Sequence, residues 1–163
     1  MRTSATRRSG EGTSGWWIRP AVPGDGAALA EVLTAAGVRA WGAFLGAERI
    51  RTATAGARHP ADLIAEDAEG VFGFVAWDGQ TGEITRLYLH PRAWGGGAAS
   101  ALLERALEAL SAAGRAQAWL NTEERNARAR RFYEREGWRV EGSPRVRDWH
   151  GVVLCETRYV RDL

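Results

Sequence analysis

The sequence PRAWGGGAASALL, residues 91–103, joins a predicted strand ending in LYLHP to an alanine-rich helix through three consecutive glycines. A glycine-rich turn that opens a helix leaves several backbone N–H groups without partners, and the helix dipole adds partial positive charge at the same place. Glycine has no Cβ to hold a ligand away from the backbone. The segment therefore predicts a binding site for a phosphate or pyrophosphate group.

A second segment, NARARRFYEREGW at residues 126–138, predicts a helix about thirty residues after the glycine turn. Tyr133 in this helix is a possible proton donor, because a phenol keeps its proton at neutral pH. Asn126 precedes Tyr133 by seven residues, two helical turns, so we expect both on the same side. Together the two segments indicate a phosphate-bearing cofactor beside acid–base chemistry.

Apolar periodicity and turn residues predict the element order β-α-α-β-β-β-α-β-α-β-β. The seven strands are expected at residues 16–18, 61–67, 70–78, 82–91, 116–121, 138–142 and 152–160. The first helix is expected to end near Gly37, and an irregular second helix at 38–45. The third should end at Gly114, and the fourth should cover 123–136. Residues 49–59 fit either a helix or a loop.

This order predicts an α/β (α+β) fold in which about four helices flank one mixed seven-stranded sheet. The second, third and fourth strands are joined by short turns, which predict an antiparallel meander. The strand–helix–strand unit at residues 85–120 requires a right-handed parallel crossover. One domain is expected at 16–163, because 163 residues are too few for two ordinary domains. Residues 1–15, rich in Ser, Thr, Gly and Arg, predict a disordered tail.

The composition excludes several classes of function. The chain contains no lysine, which excludes a phosphate-binding loop of the G-x-x-x-x-G-K type and a Schiff-base mechanism. A single cysteine, Cys155, excludes an intramolecular disulfide framework and fits a reducing compartment. The three histidines have no metal-ligand spacing. No uninterrupted apolar stretch reaches the length of a membrane span, so we expect a cytoplasmic protein.

The charge distribution argues against nucleic-acid binding. Residues 1–15 carry three arginines and one glutamate, a net charge of +2, and the whole chain also carries +2. The remaining body is therefore formally neutral, without the basic excess that binding to a phosphate backbone needs.

The element order and the two segments resemble the GNAT superfamily of acyl-CoA-dependent N-acetyltransferases, over roughly residues 16–163. The family's motif N-x-x-A-x-x-F-Y, followed by a glycine and an aromatic residue, is nearly complete here. Its positions are Asn126, Ala129, Phe132, Tyr133, Gly137 and Trp138. The family's cofactor motif Q/R-x-x-G-x-G/A is partial, since Gly97 and Ala99 match while Trp94 stands at the Q/R position.

The resemblance implies that acetyl-CoA binds as cosubstrate, with no metal. The residues that it assigns to the cosubstrate are Leu87, Tyr88, Leu89, Gly95, Gly96, Gly97, Ala98, Ala99, Ser100, Asn126 and Tyr133. Gly96 stands where members often place a basic residue, so this chain lacks side-chain contacts to the pyrophosphate at two positions. Arg92, Arg128 or Arg131 could restore the charge, and the sequence leaves the choice open.

By the same resemblance, an amine attacks the acetyl thioester directly in a ternary complex. Backbone amides at residues 87–89 would polarise the carbonyl, where the fourth strand is expected to splay from the fifth. Tyr133 would protonate the departing thiolate. Glu83 is the candidate base, because histone-type members carry a glutamate at the same spacing before the glycine motif. An exposed carboxylate at the start of a strand is an equally good interpretation of Glu83.

The acceptor is expected to be a small-molecule amine or a peptide amine, not identified by the sequence. Trp41 and Phe44 occupy the region that lines the acceptor site in this family, and Glu156 lies on a strand like the family's closing one. A homodimer is possible. The alternative function is a catalytically weakened module that binds or senses acyl-CoA, which the partial pyrophosphate motif favours.

Overall fold

The computed structural model describes residues 15–55 and 60–163. The strands are β1 (Trp16–Pro20), β2 (Leu63–Asp67), β3 (Gly70–Asp78), β4 (Glu83–Leu89), β5 (Gln117–Glu123), β6 (Arg139–Val140), β7 (Arg145–Trp149) and β8 (Val152–Asp162). The helices are α1 (Gly26–Leu45), α2 (Ala47–Thr54), α3 (Ala98–Ala112) and α4 (Ala127–Arg135). Nearly all of the predicted disordered tail lies outside the described residues.

The strands form one mixed sheet, in the order β1-β2-β3-β4-β5-β8-β6, with β7 paired to β8. Every pairing is antiparallel except that of β4 with β5, which α3 connects as a parallel crossover. The predicted fold class and the meander of β2, β3 and β4 are therefore confirmed. The sheet has eight strands instead of seven, because β7 was missed: four of its five residues are exposed, so no apolar alternation marks it.

The first helix is one continuous element, and the predicted break near Gly37 is wrong. A Cβ at Gly37 would lie 3.0 Å from Cγ2 of Ile50 in α2, so the glycine allows two helices to pack closely instead of ending one. The chain turns at Gly46, where φ is +83°. Of the ambiguous stretch 49–59, the part up to Thr54 is helical and residues 56–59 lie outside the described range.

The fourth helix begins at Ala127, four residues later than predicted, because β5 continues to Glu123. The ladder between β5 and β8 holds this extension, with Glu123 opposite Glu156. Asn126 is consequently the N-cap of α4, and its side-chain oxygen accepts a hydrogen bond of 3.1 Å from the backbone N–H of Ala129.

Two apolar layers cover the sheet. On one face α3 and α4 bury a core that includes Leu102, Leu110 and Tyr133. On the other face α1 packs against β2 and β3 through Leu29 and Val32. Residues 23–45 are long and apolar enough to resemble a membrane span, but the same pattern is typical of a core helix, and its buried side chains contact the sheet.

The two parallel strands diverge directly after a single paired position. Strands β4 and β5 are paired only at Glu83 and Trp119. Next to this pair, Ala76 of β3 lies opposite Arg86 while Trp77 lies opposite Ile84, so Thr85 is an extra residue in β4. Such a bulge bends its strand and leaves ladder groups unpaired. A gap therefore opens between β4 and β5 beyond Glu83.

An arginine bridges the beginning of α1 to the sheet. Arg19 of β1 donates hydrogen bonds to both carboxylate oxygens of Asp25, at 2.8 and 2.9 Å, and to Glu66 of β2, at 2.9 and 3.0 Å. These bonds hold the pKa values of Asp25 and Glu66 below their usual range.

The Arg19→Gln variant should be less stable by roughly 1–3 kcal/mol at pH 7, because two partly buried carboxylates lose their cation. Since folding lowers both carboxyl pKa values, the stabilisation is complete above the unfolded value of about 4 and disappears as pH falls through the folded values. Urea unfolding at pH 7 and pH 2.5 measures the difference, with Arg105→Gln on α3 as control. A deficit of equal size at both pH values would contradict this account.

Candidate active site

A cavity of about 630 Å³ fills the gap between β4 and β5. The beginning of α3, the helix α4, the end of α1 and the β7–β8 hairpin complete its walls. Most residues selected from the sequence lie on its lining: Trp41, Leu87, Tyr88, Leu89, Gly95, Gly97, Ala99, Ser100, Asn126, Tyr133 and Glu156. Four others do not reach the lining: Phe44, Glu83, Gly96 and Ala98.

The glycine turn presents free backbone donors to this cavity. Gly95 and Gly97 have φ values of +86° and +81°, a conformation that other residues rarely adopt, and Gly97 is the N-cap of α3. Within the described chain, nothing accepts a hydrogen bond from the backbone N–H groups of residues 98–100. Ala98 itself is buried against the core, whereas its N–H belongs to the open helix end. The arrangement suits an anionic group.

Trp94 occupies the motif position where the family has Gln or Arg, and it supports a cation instead. Its indole Nε1–H donates a 2.9 Å hydrogen bond to the carbonyl oxygen of Leu89, which fixes the ring at the end of β4. The guanidinium of Arg128 lies 4.1 Å from the centre of this ring. Both residues line the cavity, so Arg128 stands beside the glycine turn on a fixed aromatic surface.

Of the three arginines that could supply positive charge to the glycine turn, the structure places two on the cavity lining and one away from it. Arg92 forms an ion pair with Asp67 at 2.6 Å, lies over Phe72 and is not on the cavity lining. Arg128 and Arg131 line the cavity, and neither has a carboxylate partner among the described residues. The hydroxyl of Ser100 is already bonded to Glu136 at 2.8 Å, so this residue offers mainly its backbone N–H.

Tyr133 is held by aromatic neighbours and lies on the cavity lining. Its ring centre lies 5.2 Å from that of Phe132, 5.8 Å from Trp138 and 5.9 Å from Tyr159. Burial raises the pKa of Tyr133 above the ordinary value for a phenol. The raised pKa keeps the hydroxyl protonated at neutral pH. It forms no hydrogen bond with any described residue, so it is available to a bound group.

Asn126 and Tyr133 both line the cavity, as expected. They do so although they are not two turns apart on one helix, because only Tyr133 lies within α4. Asn126 precedes the helix as its N-cap, and its Oδ1 is engaged by the N–H of Ala129. The side chain thus fixes the start of α4 and, through it, the position of Tyr133.

Glu83 lies at the point where β4 and β5 are still paired, one residue before Ile84 enters the cavity wall. Burial, followed by the nearby charge of Asp78, raises the pKa of its carboxyl group. Within the described residues the Glu83 carboxylate has no ion pair, which sets it apart from the carboxylates on the lining.

Those carboxylates are Glu123 and Glu156, which lie opposite one another on β5 and β8. Glu123 is paired with Arg125, and Glu156 with Arg147 at 2.7 Å. Arg125 also covers the ring of Phe44 at 4.1 Å, so Phe44 supports the wall from behind. Sequence reasoning missed Glu123 and Arg147, the first because its helix was predicted to begin there and the second because β7 carries no pattern.

The arrangement can bind an anion at one end, offer a phenol proton in the middle and hold a second molecule at the other end. The unpaired edges of β4 and β5 supply backbone polar groups along the way. No group of His, Cys, Asp and Glu among residues 15–55 and 60–163 has the geometry to hold a metal ion.

Comparison with known proteins identifies relatives of this domain. A protein named an uncharacterized N-acetyltransferase from Mycobacterium tuberculosis is 32% identical over 93 residues, which are 57% of this chain and 56% of the relative. Mycothiol acetyltransferase from Beutenbergia cavernae is 40% identical over 80 residues, 47% of this chain and 27% of that protein. The matched stretches thus span about half of these relatives or less.

Solved structures share the fold at lower identity. A GCN5-related N-acetyltransferase from Rhodopseudomonas palustris superposes with a TM-score of 0.73 at 19% identity, covering 98% of this chain and 100% of the other. The putative acetyltransferase yncA from Salmonella typhimurium, solved with acetyl-CoA, gives a TM-score of 0.64 at 23% identity over 91% of this chain and 94% of its own.

The family model described as the acetyltransferase (GNAT) family matches residues 28–138, from the start of α1 to the end of the α4 motif. This match covers more than half of the sequence and includes both segments that form the cavity. The chain belongs to the acetyltransferase (GNAT) family.

Proposed function

We propose that the protein is an N-acetyltransferase that moves an acetyl group from acetyl-CoA to a primary amine by direct attack in a ternary complex. The observation that carries the proposal is one cavity in which the free N–H groups of α3 and the unbonded Tyr133 hydroxyl meet. An acyl-CoA thioester needs the N–H groups to bind its pyrophosphate and a proton donor for its departing thiolate. Membership of the family supports the same chemistry.

The residues of the cavity fit the acyl donor, whose thioester supplies the activated acetyl group. The free N–H groups of residues 98–100 and the guanidinium groups of Arg128 and Arg131 would hold its pyrophosphate. Backbone groups of β4 at residues 87–89 would orient the pantetheine arm and polarise the carbonyl, since β5 does not pair with them. Trp94 would keep Arg128 in place.

Two side chains would move the protons. As the C–N bond forms and the C–S bond breaks, the Tyr133 hydroxyl would give its proton to the thiolate sulfur and recover it from solvent. The raised pKa keeps that proton in place at neutral pH. Glu83 would take the amine proton through a water molecule. Its raised pKa and lack of an ion pair favour it over Glu156 as a base.

Acetyl-CoA at about 100 times its Kd should stabilise the wild-type fold by about 2.7 kcal/mol, which raises Tm by roughly 5–10 °C. Arg128→Gln should raise the Kd for acetyl-CoA about tenfold, because it removes the cation beside the glycine turn. Arg105→Gln, on the exposed face of α3, is the matched control. Thermal shifts over a range of acetyl-CoA concentrations measure both effects. Absence of any shift in the wild type would reject the proposed donor.

Tyr133→Phe should lower kcat by roughly 10²–10⁴-fold and leave the Kd for acetyl-CoA within about threefold, because only the transferable proton is lost. Tyr159→Phe makes the same chemical change where the hydroxyl is already bonded to Glu134 and lies off the cavity lining. This control should keep wild-type kcat. Thiol release from acetyl-CoA in the presence of an amine panel provides the measurement. Normal turnover by Tyr133→Phe would exclude it as the acid.

Glu83→Gln should lower kcat/KM roughly 10²-fold at pH 7, and the deficit should shrink as pH rises toward about 10, where the acceptor amine is itself neutral. Because the pKa of Glu83 is raised, protonation of its carboxylate should lower the wild-type rate at pH values above about 4. The variant should lack this acidic limb of the pH–rate profile. If Glu156→Gln removes the limb and Glu83→Gln does not, the base is Glu156.

A further inference from the structure

The far end of the cavity, on the α1 side of the sheet, is lined by charged side chains set in apolar surroundings. The apolar part consists of Trp41, Leu45, Tyr88, Trp149 and Leu154. The rings of Trp41 and Tyr88 meet edge to face at 6.2 Å. This end would surround an apolar body of modest size.

Most charges on this wall are neutralised within the protein. Arg147 is bonded to Glu156 at 2.7 and 3.0 Å, and Glu123 is paired with Arg125. Arg86 of β4 differs: it is partly buried on the lining, and among the described residues its guanidinium has neither a hydrogen bond nor an ion pair. A guanidinium on a cavity wall with all of its donors unused can bind an anionic group of a ligand.

Arg86 cannot serve the pyrophosphate end. Along β4, Leu87 and Leu89 pack with the α3 and α4 core, whereas Tyr88 packs with the α1 core. Side chains alternate along a strand, so Arg86 shares the face of Tyr88 and points away from the glycine turn. The turn has its own arginines, Arg128 and Arg131. The anion that Arg86 would meet therefore belongs to the acceptor.

A second group on this lining lacks a partner. The Oδ1 atom of Asn121 is buried and accepts no hydrogen bond, although the residue lies on the cavity wall. Asn121 is on β5 two residues before Glu123, in the stretch that faces β4 across the gap. A buried oxygen without a donor is rare in proteins, and an amine N–H would satisfy it.

We propose that the acceptor is an amine that also carries a carboxylate and an apolar body, in the manner of an apolar amino acid. Arg86 binds the carboxylate, and Asn121 accepts one amine N–H. A planar guanidinium matches a carboxylate through two parallel hydrogen bonds, which gives orientation as well as affinity. The assignment rests on the proposed acetyl transfer and specifies its acceptor.

The test compares phenylalanine, leucine and tryptophan with their carboxamides, which keep the amine and the body but lose the charge. Wild-type kcat/KM should favour the acids at least tenfold, and Arg86→Gln should abolish this preference while leaving the amides within about threefold. Arg105→Gln on α3 should behave as wild type. The binding of each acid and amide to the CoA-bound protein is measured in parallel by calorimetry.

Each result decides the question. If the wild type neither acetylates nor binds the acids better than the amides, or if Arg86→Gln keeps the preference, the assignment of Arg86 is wrong. Efficient transfer to the amides alone would overturn the assignment of Arg86 to the acceptor carboxylate and leave the acetyltransferase proposal intact. A wild type that shows no thermal shift with acetyl-CoA would instead reject the proposed function itself.

Discussion

The structure depends on one constraint, the early separation of the two parallel strands β4 and β5. They pair at a single position, Glu83 with Trp119, and the extra residue Thr85 bends β4 away. Continued pairing would bury the polar edges of both strands and leave no cavity. Because the strands part, backbone groups of β4 and β5 are open to a ligand in the middle of the sheet, where neighbouring side chains are fixed by a packed core.

The same separation explains why the site has two sides with different characters. On the α3 side the gap is bordered by free helix N–H groups, Arg128 and the phenol of Tyr133. On the α1 side it is bordered by aromatic rings and by Arg86. A molecule in the gap can extend its phosphates to one side and its reactive end to the other. In the proposed reaction, donor and acceptor would meet in the gap without sharing a binding surface.

Features that depend on a short segment of sequence were predicted, whereas features that depend on contacts between distant segments were missed. The glycine turn before α3, with positive φ values at Gly95 and Gly97, is a property of a short segment, and residue type predicted it. The start of α4 was missed, because Asn126 was expected inside the helix and caps it instead, after a β5 strand that continues along β8 to Glu123. The continuity of α1 through Gly37 depends on contact with Ile50, and the support of Arg128 by Trp94 joins α4 to the turn before α3. The bulge at Thr85 reverses which β4 side chains face α1, and no residue in the strand marks it.

The absence of lysine gives this cavity a pattern of positive charge that does not titrate at working pH, because every basic side chain on its lining is an arginine. Arginine keeps its charge at any working pH, so the pattern is set by which guanidinium groups have carboxylate partners. Arg147 is neutralised by Glu156, while Arg86 and Arg128 have no carboxylate among the described residues and stand at opposite ends. The unpaired cations would thus favour anionic groups at both ends of the reacting pair. They would also favour the neutral form of a nearby amine, because a fixed positive charge disfavours an ammonium.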